Sequence, residues 1–381
     1  MHVNPEPLNR IDPIALTREL ISQNTINPPG NEAEAARILG RLLCTHGFEV
    51  SYHDFGPGRL HLLAEKGLSA SESPLLLSGH LDTVPLGDSP WSVDPFGGNC
   101  TEDRIYGRGS SDMKSGVAAM TIAAIEAMAI SPPKGGVRLV FTAGEELGCQ
   151  GVQQLLKSSR AMGSARAIIV GEPTANIPAI GHKGGLYLQA TSRGKTAHSS
   201  MPELGDNAIY KAAKAICKIE NFRFEAEPDP LLGLPSINVG KMEGGLNLNS
   251  VPDHASFSID IRSTTMVRHS SILERLGSEL GPDIKLETLV DLGPVSTPEN
   301  HPFTELVLEI CQINKESKHW KKALPYLTDG SALQAFYGGV PTIVLGPGEP
   351  EMAHQTDEYC FISKICQSIA IYKKIILNRR T

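Results

Sequence analysis

The run Leu75-Leu76-Leu77-Ser78-Gly79-His80-Leu81-Asp82 sets an imidazole and a carboxylate directly after a short apolar segment. An apolar run of this length reads as a short buried strand. Three other stretches repeat the arrangement. Val137–Thr142 leads to Glu145 and Glu146, Ala167–Val170 leads to Glu172, and Thr342–Leu345 leads through Gly346-Pro347-Gly348 to His354. In an open α/β sheet, ligands bind just beyond the carboxyl ends of the strands. The four runs therefore predict a layered α/β sheet that gathers these acids and imidazoles into one cleft. Asp112 adds a carboxylate at the entry to an apolar helix, Ser115–Ile130.

Outward from these runs, Ile14–Ser22 and Glu32–His46 read as helices, the second closed by Gly47 as a C-cap. Phe48–Tyr52 and Leu60–Ala64 read as strands. Between Gly185 and Val290 the character changes. The order becomes strand (Leu186–Ser192), helix (Asp206–Ile219), strand (Ser236–Met242), strand (Ala255–Ile261), helix (Met266–Leu280), strand (Ile284–Leu289). This β-α-β-β-α-β order is the ferredoxin-like signature of a self-contained α+β domain. The α/β pattern then resumes with helices near Glu305–Asn314 and Ser331–Tyr337 and a last helix from Ile362. The expected organisation is a main domain over residues 1–183 and 293–381, with a smaller one inserted over residues 184–292.

Length and composition agree with two domains. At 381 residues the chain exceeds the size at which one hydrophobic core stops growing. A net charge of −7, without runs of like charge, argues against nucleic acid and against an anionic membrane surface as partner. The stretch Met1–Arg10 is polar and carries two prolines, unlike the apolar centre of a signal peptide. No apolar stretch reaches membrane-spanning length. The seven cysteines are odd in number and form no CxxC pair, which argues against a disulfide framework or a thiolate zinc site. They read as core residues, and the chain as cytoplasmic.

Two imidazoles with several carboxylates and no cysteine suit zinc, or cobalt and manganese in its place. A carboxylate can bridge two such ions about 3.5–4 Å apart, the spacing of two-metal hydrolytic sites. A spare carboxylate must then move the proton of the attacking water. The adjacent Glu145-Glu146 pair can divide those labours, one free and one ligating.

Several motifs together resemble a known family. Ser78-Gly79-His80-Leu81-Asp82-Thr83-Val84-Pro85 and Tyr106-Gly107-Arg108-Gly109-Ser110-Ser111-Asp112-Met113-Lys114 are similar to segments of the M20 metallopeptidases. So are Ala143-Gly144-Glu145-Glu146, Val170-Gly171-Glu172-Pro173-Thr174, Gly194-Lys195-Thr196-Ala197-His198-Ser199-Ser200-Met201-Pro202 and Leu345-Gly346-Pro347-Gly348. The subgroup resembled is that of acetylornithine deacetylase and succinyl-diaminopimelate desuccinylase, over nearly the whole chain. The resemblance implies a zinc-peptidase-like catalytic domain with an inserted dimerisation or lid domain, and hence a homodimer. It implies one metal held by His80, Glu172 and a bridging Asp112, and a second held by Glu146, His354 and the same Asp112. Glu145 would be the general base and acid, and Asp82 would orient His80 by accepting its second ring N–H. The Asp112–Met113 bond matches a cis peptide of the family. His198 would stabilise the oxyanion in the partner protomer's site, and Arg262 and Asn249 would hold the carboxylate end of the substrate. The expected substrate is a small N-acyl amino acid or short peptide.

Each motif also has a plain structural reading. Glu145 and Glu146 can be helix N-terminal acids, Arg262 can form an ion pair on a sheet, and Thr328-Asp329-Gly330-Ser331 reads as the cap of the following helix rather than as part of the substrate pocket. Three rival functions remain: a carboxypeptidase or dipeptidase of the same family, a catalytically inactive metal-binding module, and a nucleotide-binding α/β protein. Against the last, Gly107-Arg108-Gly109 and Gly194-Lys195-Thr196 each lack the rest of a phosphate-binding loop.

Overall fold

The computed structural model describes residues 11–157 and 162–378, so the reading of Met1–Arg10 lies outside the described residues. The chain divides into two compact units. Unit 1 comprises Met1–Ile180, Thr297–Lys322 and Thr328–Thr381; unit 2 comprises Gly181–Ser296 and Ala323–Leu327.

In chain order, unit 1 begins with α1 (Pro13–Ile21), α2 (Ala33–Thr45), β1 (Glu49–Gly56), β2 (Arg59–Lys66), β3 (Leu75–His80) and β4 (Arg104–Tyr106). It continues with α3 (Lys114–Ile130), β5 (Val137–Thr142), α4 (Gln150–Lys157) and β6 (Ala167–Val170). Unit 2 holds β7 (Gly181–His182), β8 (Gly184–Arg193), α5 (Ala208–Glu220), β9 (Ser236–Gly244), β10 (His254–Ser263), α6 (His269–Leu280), β11 (Ile284–Leu292) and β12 (Val295–Ser296). The remainder is α7 (Pro302–Ile310), β13 (Ala323–Leu324, in unit 2), α8 (Gly330–Phe336), β14 (Thr342–Val344), β15 (Tyr359–Phe361) and α9 (Ile362–Leu377).

The large sheet of unit 1 has the order β1-β2-β5-β3-β6-β14. β3, β5, β6 and β14 run parallel, whereas β1 and β2 add an antiparallel edge. Every residue of β3, β5, β6 and β14 is buried. Such strands read as continuous apolar runs because both faces are covered. The chain leaves β3 for β5 on one side and returns to β6 on the other, so β3 sits at the switch point where an open sheet forms its ligand crevice. α3 is apolar all round because it is enclosed, meeting α1, α2, α9 and the strands β3 and β5.

Unit 2 is built on a sheet of order β11-β8-β10-β9, every neighbouring pair antiparallel. Along β10 the burial alternates strictly, with Ala255, Phe257, Ile259 and Ile261 inward. These residues and Leu186, Leu188 and Ala190 form a core with Ala208, Ala212 and Ala215 of α5 and Ile272 and Leu276 of α6. This is the ferredoxin-like order. Among the described residues no helix is long and apolar enough to cross a membrane. All seven cysteines are free. Only Cys149 and Cys360 are buried, so the reading of the cysteines as core residues is corrected for Cys44, Cys100, Cys217 and Cys366, which are exposed.

Candidate active site

His80 ends β3 in register with Thr142 of β5, which is followed by Ala143-Gly144-Glu145-Glu146. Glu172 lies just past β6, and the loop after β14 carries His354 at a positive φ of 64°. A Cβ added to Gly346 would sit 2.2 Å from the main-chain oxygen of Gly171, so only glycine lets the loops after β6 and β14 approach this closely.

Two groups of ligand-type atoms result: His80, Asp112 and Glu172, and Asp112, Glu146 and His354, the atoms of each within 4.8 Å of one another. Asp112 belongs to both and divides its oxygens between them. Its Oδ1 lies 3.0 Å from His80 Nε2 and its Oδ2 3.4 Å from His354 Nε2. Glu172 Oε2 stands 3.7 Å from His80 Nε2, and Glu146 Oε2 stands 3.2 Å from His354 Nε2. The Asp112–Met113 peptide bond is cis.

Asp82 acts differently from the expectation. His80 Nδ1 meets the main-chain oxygen of Asp82 at 2.9 Å, while the Asp82 carboxylate is 3.7 Å away. That carboxylate accepts instead from the main-chain N–H groups of Gly144 (2.9 Å), Glu145 (3.0 Å) and Glu146 (3.1 Å), and from the Asn27 amide (2.8 Å). The turn after β5 converges three N–H donors on one buried point, and a carboxylate satisfies them better than a ring N–H would satisfy it. Asp82 thus fixes the backbone that carries Glu145 and Glu146. With Nδ1 against a carbonyl, the His80 ring turns Nε2 toward Asp112 and Glu172.

The electrostatics fit a cation. Burial and the charge of Glu172 push Glu145 well above the ordinary carboxylate range. Burial likewise pushes Glu172 up to about 8, against the pull of His80. Although burial opposes it, hydrogen bonds from His354 and His80 hold Asp112 low. Hydrogen bonds with Asp112 and Glu146 raise His354 to about 10. Acids therefore outnumber imidazoles in a buried space, and Glu146 Oε1 is buried with no hydrogen-bond partner. An oxygen-and-imidazole set with an orphaned carboxylate oxygen matches what divalent zinc, cobalt or manganese takes.

Beside the two groups lies a third, Glu145, Cys149 and Asp329. Cys149 Sγ is 3.4 Å from Glu145 Oε1. Asp329 occupies the N-cap position of α8 without a side-chain cap bond, and its carboxylate accepts from Thr142 Oγ1 at 2.5 Å. Thr328 Oγ1 accepts from Gly330 N instead. Buried among acids, Asp329 is pushed up to about 6. Sequence reasoning missed Asn27 and Glu358, which lie on no periodic element, and it quoted Arg108 and Asp329 within longer stretches without reading their partners.

The other three candidates belong to unit 2. His198 is exposed, and its Nδ1 accepts from Ser200 N at 3.2 Å and meets Ser200 Oγ at 2.7 Å. An Nδ1 that accepts leaves the ring proton on Nε2. Asn249 lies beside it: Ser199 N donates to the Asn249 main-chain oxygen, and His198 bridges to Ser250. Arg262 is held on β10 by Asp260, its Nη2 donating to Oδ2 at 3.0 Å, with its Cζ 5.1 Å from the Tyr187 ring centre.

Comparison with known proteins matches residues 76–378 to the family described as Peptidase family M20/M25/M40. A Staphylococcus epidermidis protein named "Probable succinyl-diaminopimelate desuccinylase" is 31% identical, covering 97% of this chain and 98% of that protein. An acetylornithine deacetylase of Vibrio parahaemolyticus is 30% identical over 94% of this chain and 96% of that enzyme. The crystal structure of an M20 family metallo-carboxypeptidase from Sulfolobus solfataricus superposes with a TM-score of 0.79 at 20% identity, covering 96% of this chain and 99% of that one.

Proposed function

This chain belongs to the M20/M25/M40 peptidase family and is a hydrolase, and on that premise we propose that it cleaves the acyl group from a small N-acyl amino acid at a two-cation centre. The observation that carries this reading is the division of Asp112 between His80 and His354. A carboxylate with one oxygen toward each imidazole has the form of a shared ligand. His80 and Glu172 would complete one set, Glu146 and His354 the other. When bound, the cations supply a water of lowered pKa and polarise the scissile carbonyl.

Glu145 takes one proton from the attacking water at a carboxylate oxygen and returns it to the amide nitrogen as the C–N bond breaks. The water's second proton passes from the new carboxyl group to the departing amine, so the products are a carboxylate and an ammonium group and the proton count closes. Asp82 steadies this transfer by holding the Glu145 main chain. His198, with its proton on Nε2, donates to the oxyanion of the tetrahedral intermediate in the partner subunit of a homodimer. Asn249, beside His198, and Arg262 hold the carboxylate end of the substrate.

The names of the relatives at about 30% identity favour removal of acetyl or succinyl groups. A carboxypeptidase reading is favoured by the likeness to the Sulfolobus enzyme. Purified protein loaded with zinc, offered N-acetyl and N-succinyl amino acids alongside dipeptides, separates the two. Faster turnover of an N-acyl amino acid supports the proposal, and faster cleavage of dipeptides overturns it in favour of the peptidase.

A further inference from the structure

Glu358 is a fully enclosed acid that the proposed chemistry does not use. Its side chain is 0% exposed and that of Arg108 is 1% exposed. Each of its oxygens accepts two hydrogen bonds. Oε2 accepts from Arg108 Nη1 at 2.7 Å and from Gly109 N at 2.9 Å. Oε1 accepts from Ser111 N at 2.7 Å and from Asp112 N at 2.9 Å. The main-chain oxygen of Glu358 also accepts from Gly107 N.

A simple buried ion pair would spend the carboxylate on Arg108. Here three of the four donors are main-chain N–H groups of the segment that ends at Asp112. Arg108 in turn donates to the main-chain oxygens of Pro85 and Gln355. The segment before Asp112 is thereby tied to the loop that carries His354 and to the one that follows His80. The pattern repeats what Asp82 does for Gly144–Glu146: a buried acid beyond one candidate ligand grips the main chain of another.

We propose that Glu358 is a positioning residue for Asp112, its carboxylate fixing the main chain from Gly109 to Asp112 so that one aspartate faces both imidazoles. The inference rests on the reading of Asp112 as a shared ligand. Glutamine at this position keeps one acceptor oxygen but turns an NH2 group toward N–H donors. The segment loosens, and both ion sites suffer together because Asp112 is common to them.

The test is titration of metal-stripped protein with Co2+, followed by visible absorption and by ion count per chain, with thermal unfolding of the stripped protein alongside. Wild type takes up two ions. Glu358→Gln weakens both binding steps by roughly 10–100-fold, the range for outer-shell partners of metal ligands, and shifts the cobalt absorption bands. Glu358→Asp keeps the charge, withdraws it by one methylene, and gives a smaller shift in the same direction. Glu65→Gln, which cuts the ion pair to Arg138 at the other end of β5, lowers stability but leaves affinities and bands as in wild type. Wild-type affinities and bands in Glu358→Gln, or in Glu358→Asp should the glutamine variant fail to fold, overturn the inference. Uptake of fewer than two ions by wild type overturns the shared-ligand reading itself, a separate result.

Discussion

Glu145 is anchored at its main-chain N–H by Asp82 and touched at Oε1 by Cys149, yet it is outside both groups that share Asp112. Its neighbour Glu146 faces His354. The two adjacent acids thus have different surroundings, as the proposed division into a free base and a ligand requires. Replacing Glu145 by Ala is expected to cut turnover by about 10²–10⁴-fold, the usual share of general acid–base catalysis, with two ions per chain still counted by elemental analysis. Retained turnover would sink the base assignment. His198→Ala is expected to lower kcat by about 10²–10³-fold, as loss of an oxyanion donor does, with little change in KM. Steady-state kinetics on the best substrate reads the split. At this scale the residues that gather at the strand ends were legible, because ligand-type side chains right after apolar runs are conspicuous. Asp82 was found but its carboxylate's partners were not. They are main-chain N–H groups, which every residue possesses and no sequence displays.

At the scale of elements, the long periodic helices and the buried strands stand out in the sequence because their faces differ in polarity or are apolar throughout. The pair β4 and β15 and the short strands β7, β12 and β13 are too brief to show a period. α4 escaped because its polar residues Gln150, Gln153, Gln154 and Lys157 leave Gly151, Val152 and Leu155 as its buried residues. One element junction has a pH signature. His61 on β2 is buried, its Nδ1 accepts from Ala143 N at 3.0 Å, and burial lowers it to about 4. Its folded value lies below that of the unfolded chain, so the unfolded chain binds the proton first. Stability is therefore whole above pH 6.5 and is lost as pH falls from there toward 4. His61→Asn keeps an acceptor near the Nδ1 position and cannot titrate. Between pH 7 and pH 5 it should lose about 2 kcal/mol less stability than wild type, by linkage. Urea unfolding of both proteins with metal bound gives the comparison, and equal losses would show that His61 does not carry the effect.

The whole molecule comprises two units with separate cores, one around α3 and the large sheet and one between the ferredoxin-like sheet and α5 and α6. The change from apolar runs to alternating strands near Gly185 made this division readable. The return of Ala323–Leu327 to unit 2 was not readable, because a two-residue strand pairing with β7 leaves no pattern. All five residues of the two groups sharing Asp112 lie in unit 1. Ions that bind the folded form alone stabilise it by mass action, about 4 kcal/mol per site at a thousandfold excess over Kd and so about 8 kcal/mol for two. For a unit of this size that corresponds to roughly 16–32 °C in Tm. Unit 2 holds none of these residues and gains nothing directly. Calorimetry with zinc and after chelation should therefore show one transition falling by about this amount while a second stays in place. A mass-spectrometric hydrogen-exchange profile taken between the two temperatures should find α5, α6 and β10 still protected when β3 and β6 have opened. Transitions that move together would mean that the units unfold as one body and that the separate cores do not act separately.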